Sequence, residues 1–424
     1  MDVGFPEALL ILGVLLTVTA GLSGWLHGTV LSISVLSVLA GMALSYGDVV
    51  EASPGAEIVV LTVELALILT LFSDGLFAER ELLRNEWHAP ARALVFAMPI
   101  TLTLLALCAK LLFDELSWAE AFLVGAVLSP TDPVITSAIV TAQRVPRLIR
   151  HTLNLESGLN DGLALPFVLF FLVLATHADS AGSEAAHLLG EALAGGLIGV
   201  GLAFVGGRAL PLLPGGGIRG KYEGVYALGL AFGAFGLAEV TFGNGLIAVF
   251  VAGIALAVAR HDVPDAFSHF NESVSATFQV ITFFVFGALI VATGWDGSNA
   301  ALGLFIAFAL VVARPAAVLL SLLGIGIPPA QKLFIAWFGP KGVASMLFGL
   351  LVVNSADPNR TLVFDIVSFT VLASILAHGL TDTLGANWIE RRISRGLDQH
   401  DVREGIEGDE DEPGRAVMPP AGGE

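Results

Sequence analysis

Charge is scarce in this chain, and cysteine scarcer still. Only 14% of its 424 residues are Asp, Glu, Lys or Arg. A soluble protein of this length needs far more polar surface to cover itself, so a soluble globular class is excluded. The single cysteine, Cys108, excludes an intrachain disulfide and any cysteine-based zinc or iron–sulfur site. The opening Met-Asp-Val-Gly-Phe-Pro-Glu lacks the basic residues of a secretory leader, so no cleaved signal peptide is expected. No segment repeats convincingly elsewhere, and no filter-like loop recurs as a channel would require.

What is present is apolar. Hydrophobic residues make up 55% of the chain, and mean hydropathy is +0.82. The composition therefore predicts an all-α polytopic membrane protein. Spans of about 20 mostly apolar residues fall near 7–26, 29–47, 57–77, 92–113, 117–143, 150–176, 186–211, 220–240, 243–260, 273–294, 298–323, 331–354 and 362–386, thirteen in all. Residues 1–390 are expected to form one transmembrane domain. Residues 391–424 read as a disordered acidic tail, with nine acids against two arginines from 398 onward.

Basic residues set the orientation. Arg80, Arg84, Arg92, Arg144, Arg147, Arg150, Arg208, Arg219, Lys221, Arg260 and Lys332 follow odd-numbered spans, and five more arginines follow the last. The alternate connections hold Asp48, Glu51, Asp114, Glu115, Asp179, Glu184 and Asp296 against Arg360 alone. The expectation is an N-terminus outside and a cytoplasmic C-terminus, in the cell membrane. Lys110 is placed to snorkel at the outer end of its span.

Ionised side chains at bilayer depth are costly and kept mainly where charge is bound or moved. Asp132 stands in Ser129-Pro130-Thr131-Asp132-Pro133, where two prolines three residues apart should unwind span 5. Span 12 carries a second break at Gly339-Pro340-Lys341-Gly342. Such paired interruptions point to a substrate site. In span 6, Ser157 and Asp161 share one helical face, and Glu156 and Asn160 the adjoining face. Gly158 and Gly162 form a Gly-x-x-x-Gly pair that lets another backbone approach. A hard monovalent cation such as Na⁺ would find oxygen ligands in Asp161, Asp132, Ser157 and Thr131. Asn160 would bridge to the unwound Thr131–Asp132 segment. Glu156 is expected to pair with Lys341. Arg314 and Glu64 are possible buried support, Asp74 reads as solvated near the end of span 3, and His378 as a hydrogen-bonded packing residue.

One carboxylate holds either a proton or a metal ion, never both favourably. That competition at Asp161 yields exchange without further coupling machinery. A potassium–proton exchanger would use the same site. An intramembrane aspartyl protease also needs two membrane aspartates, but its Gly-x-Gly-Asp arrangement is missing.

On Thr131-Asp132-Pro133, Glu156-Ser157-Gly158-Leu159-Asn160-Asp161-Gly162, Arg314-Pro315, Gly339-Pro340-Lys341-Gly342 and His378-Gly379-Leu380-Thr381, the chain resembles the NhaP-type sodium–proton antiporters. These are relatives of animal sodium–hydrogen exchangers in the monovalent cation–proton antiporter superfamily. The resemblance implies an inverted-repeat fold with two broken, crossing helices in spans 5 and 12. It implies a homodimer in lipid, with a dimerisation layer and an ion-carrying bundle. It assigns Asp161 as the essential binding acid, completed by Asp132, Asn160, Ser157 and Thr131, and its Asn-Asp pair implies electroneutral exchange of one Na⁺, or Li⁺, for one proton. It gives Glu156 a basic partner in the later broken helix, where the family often has Arg and this chain has Lys341. No cofactor, no enzymatic chemistry and no nucleic-acid partner are implied.

Overall fold

Lipid offers no partner to backbone N–H and C=O groups, so apolar runs of this length must satisfy them internally as helix. The computed structural model describes residues 5–26, 33–50, 52–53, 55–82, 91–132, 145–176, 181–209, 222–259, 263–293 and 299–394. Most of the acidic tail and the second half of span 5 therefore lie outside the described residues. Among the described residues the regular structure is helical throughout, with no strand.

The elements are α1 (Phe5–Leu26), α2 (Ile33–Tyr46), α3 (Glu57–Leu82), α4 (Met98–Leu112), α5 (Trp118–Leu128), α6 (Arg147–Thr176), α7 (Ala181–Ala209), α8 (Tyr222–Glu239), α9 (Gly245–Ala259), α10 (Val263–Ala292), α11 (Ala300–Phe308), α12 (Arg314–Ser321), α13 (Pro329–Trp337), α14 (Val343–Val353) and α15 (Arg360–Ser394). Six helical segments among the described residues are long and apolar enough to cross a bilayer, and shorter apolar helices accompany them.

Two π-helical segments interrupt this pattern, at Ala93–Ala97 before α4 and Ala309–Ala313 before α12. Each runs directly into an X-Pro step, Met98-Pro99 and Arg314-Pro315. Proline cannot donate to the preceding turn, and a wide turn accommodates the missing bond. The same device thus opens two helices in opposite halves of the chain, a correspondence the residue pattern alone did not reveal.

The helices pack in close pairs. α10 lies along α2, α9 between α3 and α7, and α5 against α4 and α6. At the α2–α10 seam the backbones nearly touch. A Cβ on Gly41 would strike the Phe284 carbonyl, and one on Gly287 would strike the Val38 carbonyl. Only glycine permits that approach.

Two segments lose helical structure amid apolar surroundings. α5 ends at Leu128, and Ser129–Asp132 continue without helix. α13 ends at Trp337 and α14 begins at Val343, with Phe338–Gly342 non-helical between them. Both segments are buried.

Candidate functional site

The two unwound segments satisfy each other. The Asp132 N–H donates to the Pro340 carbonyl at 2.9 Å. The Val343 N–H donates to Asp132 Oδ2 at 3.0 Å. Val343 is the first residue of α14, so Asp132 caps that helix with a carboxylate where its backbone dipoles are positive. Lys341 Nζ donates to the carbonyls of Ser129 and Pro130 at 3.3 and 3.2 Å. There the cation meets the carbonyl-rich end of α5, where positive charge is favoured. The Lys341 N–H donates to Ser374 Oγ on α15 at 2.8 Å.

α6 presents its polar faces to this crossing, as its i, i+4 spacing predicts. Asn160 Nδ2 donates to Thr131 Oγ1 at 2.8 Å, and Ser157 Oγ lies 3.3 Å from the same hydroxyl. Asn160 therefore holds the unwound segment through the Thr131 side chain rather than its backbone. The Gly-x-x-x-Gly pair works differently from expectation. A Cβ on Gly162 would meet the Phe250 ring instead of a backbone, and Gly158 borders open space.

Glu156 pairs with Arg314, not Lys341. Arg314 Nη1 and Nη2 reach its two oxygens at 2.6 and 3.2 Å. Both side chains are about 5% exposed. A guanidinium fork matches both carboxylate oxygens at once, whereas an ammonium supplies a point contact. The π segment ahead of α12 places Arg314 at this junction. Glycine leaves room for both charged groups: a Cβ on Gly339 would collide with the Arg314 guanidinium, and one on Gly342 with the Asp132 carboxylate.

A cavity of about 200 Å³ opens beside the crossing. Asp132, Asp161, Ser157 and Gly158 line it, as do Thr70, Ser73 and Asp74 from α3. Thr131 and Asn160 do not line it and instead buttress the wall. Asp161 Oδ1 and Asp74 Oδ2 are enclosed and have no hydrogen-bond partner among the described residues. Three carboxylates thus line one small space, and two of them carry oxygens that no donor among the described residues satisfies. Unshared, such oxygens are costly. A cation or proton resolves that cost.

Asp74 lines the cavity, a position the sequence did not reveal. α3 continues to Leu82, so Asp74 sits two turns inside the helix rather than at its end. Glu64 gives no buried support. It is exposed. His378 fulfils its packing role, with Nδ1 2.7 Å from the Ser374 carbonyl and Nε2 3.0 Å from the Trp337 carbonyl. Lys110 Nζ turns back onto the Leu116 carbonyl at 2.6 Å.

Fold and site together define an integral membrane protein whose helices enclose an acid-lined cavity beside two hydrogen-bonded non-helical segments. Residues 12–384 match the family model for the transmembrane sodium/hydrogen exchanger, and the chain belongs to that family. It is 26% identical over 369 residues to the K(+)/H(+) antiporter NhaP of Alkalimonas amylolytica, covering 85% of this chain and 62% of that protein. It is 25% identical over 367 residues to Na(+)/H(+) antiporter 2 of Zygosaccharomyces rouxii, covering 75% of this chain and 45% of the relative. The chain thus spans less than two thirds of the length of these curated relatives. Its fold is similar to that of the sodium proton antiporter MjNhaP1 from Methanocaldococcus jannaschii at pH 8, with a TM-score of 0.71 and 21% identity, covering 90% of this chain and 96% of that one.

Proposed function

We propose that the protein is a secondary antiporter that exchanges cytoplasmic Na⁺ for external H⁺ by alternating access, without chemical catalysis. The observation that carries this reading is the cavity shared by Asp74, Asp132 and Asp161, with enclosed oxygens on Asp74 and Asp161 that no donor among the described residues serves. Asp161 takes either a proton or the cation. Asp132, Ser157 and Asp74 add hard oxygen ligands, while Thr131 and Asn160 fix the wall. Glu156 and Arg314 neutralise each other outside the exchange, and Lys341 holds the crossing. With one titrating acid exchanged against one monovalent ion, the cycle is electroneutral.

The architecture we propose has thirteen crossings, two of them broken at 129–132 and 338–342, in a homodimer of the cell membrane. The basic connections face the cytoplasm, the N-terminus lies outside, and residues 391–424 form a cytoplasmic tail. A second reading, K⁺/H⁺ exchange through the same site, is favoured by relatives whose names specify potassium. The test is exchange in sealed vesicles, with Na⁺, K⁺ and Li⁺ supplied separately and with or without an imposed voltage. Asp161→Asn should abolish cation-dependent proton movement. Persistent exchange in that variant would overturn the assignment, and a voltage-dependent rate would overturn electroneutrality.

A further inference from the structure

α10 contributes Phe278, Gln279 and Thr282 to the cavity wall. These residues share one helical face, at i, i+1 and i+4. This helix packs closely on α2. Its backbone is in contact with α2 at Gly41 and Gly287, and Gln279 Nε2 donates to Ser34 Oγ on α2 at 3.3 Å.

Thr282 is the anomaly on that wall. It is 2% exposed, and its Oγ1 has no hydrogen-bond partner among the described residues. A threonine in a helix ordinarily returns its hydroxyl to the carbonyl one turn back. Thr62, Thr103, Thr176, Thr370 and Thr381 all do so here, at 2.6 to 2.9 Å. Thr282 forgoes that bond. A hydroxyl enclosed without a partner is destabilising, and here it borders the same space as three carboxylates.

We infer that Thr282 is a specificity-determining ligand for the transported cation, supplying a neutral hard oxygen from the wall formed by α10. This rests on the antiport reading with Asp161 as the binding acid. A neutral hydroxyl adds a coordination position without adding charge. It therefore alters how completely the ion sheds water, and so which ion is preferred, without disturbing the exchange of one proton for one positive charge.

The test is cation-induced thermal stabilisation of the purified full-length protein. Na⁺, K⁺ and Li⁺ are titrated separately, and KM for each is measured in proteoliposomes. Thr282→Val, which keeps the shape and removes the oxygen, should weaken apparent affinity for the preferred cation by about tenfold, the scale of one lost contact to a charged group, and narrow the preference among ions. Thr282→Ser should restore both. If Thr282 only packs, Thr282→Val will match wild type in every titration, which overturns the inference. Should the valine variant not fold, Thr282→Ala against Thr282→Ser makes the same comparison. Asp161→Asn separates the two levels: a normal cation response in that variant overturns the antiport site itself, whatever Thr282 does.

Discussion

Asp132 and Val343 are joined by a hydrogen bond from the Val343 N–H to Asp132 Oδ2, 3.0 Å long, across the crossing of two unwound segments. The Asp132 N–H meanwhile serves the Pro340 carbonyl. A residue that lines the cavity is thus also a helix cap. Its capping role and its proposed transport role are separable, because only the first needs an acceptor and only the second needs a charge.

Asp132→Asn keeps an acceptor for the Val343 N–H and removes the charge. Its stability should stay within about 1 kcal/mol of wild type while cation-dependent exchange falls to background. Asp132→Ala removes both, with a further loss of about 0.5–2 kcal/mol for the missing cap. Unfolding in micelles alongside vesicle exchange distinguishes them, and equal stability of the two variants would refute the capping role.

The Glu156–Arg314 pair should behave as a buried ion pair. Removing one partner strands the other charge, at a cost of about 3–5 kcal/mol. Arg314→Met or Glu156→Leu alone should therefore destabilise strongly, and the double variant should recover much of the loss. Arg314→Lys should also be destabilising, since a lysine cannot form the fork. A double-mutant cycle on unfolding free energy is the measurement, and simple additivity would contradict the pairing.

Asp357 lies in the connection between α14 and α15, where burial pushes its carboxyl up from 3.8 to about 6 and neighbouring Glu120 also raises it. The Asn359 N–H donates to it at 2.8 Å and opposes the shift. The folded state consequently holds more protons than the unfolded chain between pH about 4 and about 6. Its contribution is fully present below about 4 and is lost as pH rises through about 6. Asp357→Asn should remove this dependence. Relative to the variant, wild type should lose melting temperature between those limits, and parallel profiles would exclude the effect.

Membrane depth made much of this protein readable. The apolar runs marked the helices, and Asp132, Glu156, Asp161, Arg314 and Lys341 stood out because charge is rare in such runs. The i, i+4 faces of Ser157/Asp161 and Glu156/Asn160 followed from helical geometry alone. Partner choice did not. Glu156 and Arg314 are 158 residues apart, and nothing local tells an acid which of two distant cations will reach it. Asp74 was hidden by proximity to charged Glu79, Arg80 and Glu81, which resemble a helix end, although α3 continues through them. Thr282 gave no signal because one hydroxyl in an apolar helix normally bonds its own backbone.

The prolines at the crossing have a further consequence. Every N–H exposed by unwinding a helix in lipid needs a new acceptor, and proline has none to place. Pro130 and Pro340 nevertheless keep their carbonyls, which receive Lys341 Nζ and the Asp132 N–H. The two non-helical segments therefore contain residues that strand no donor of their own while still offering acceptors. A chain can open its helices in oil at low energetic cost when the opening is built from imino acids and one long-armed cation.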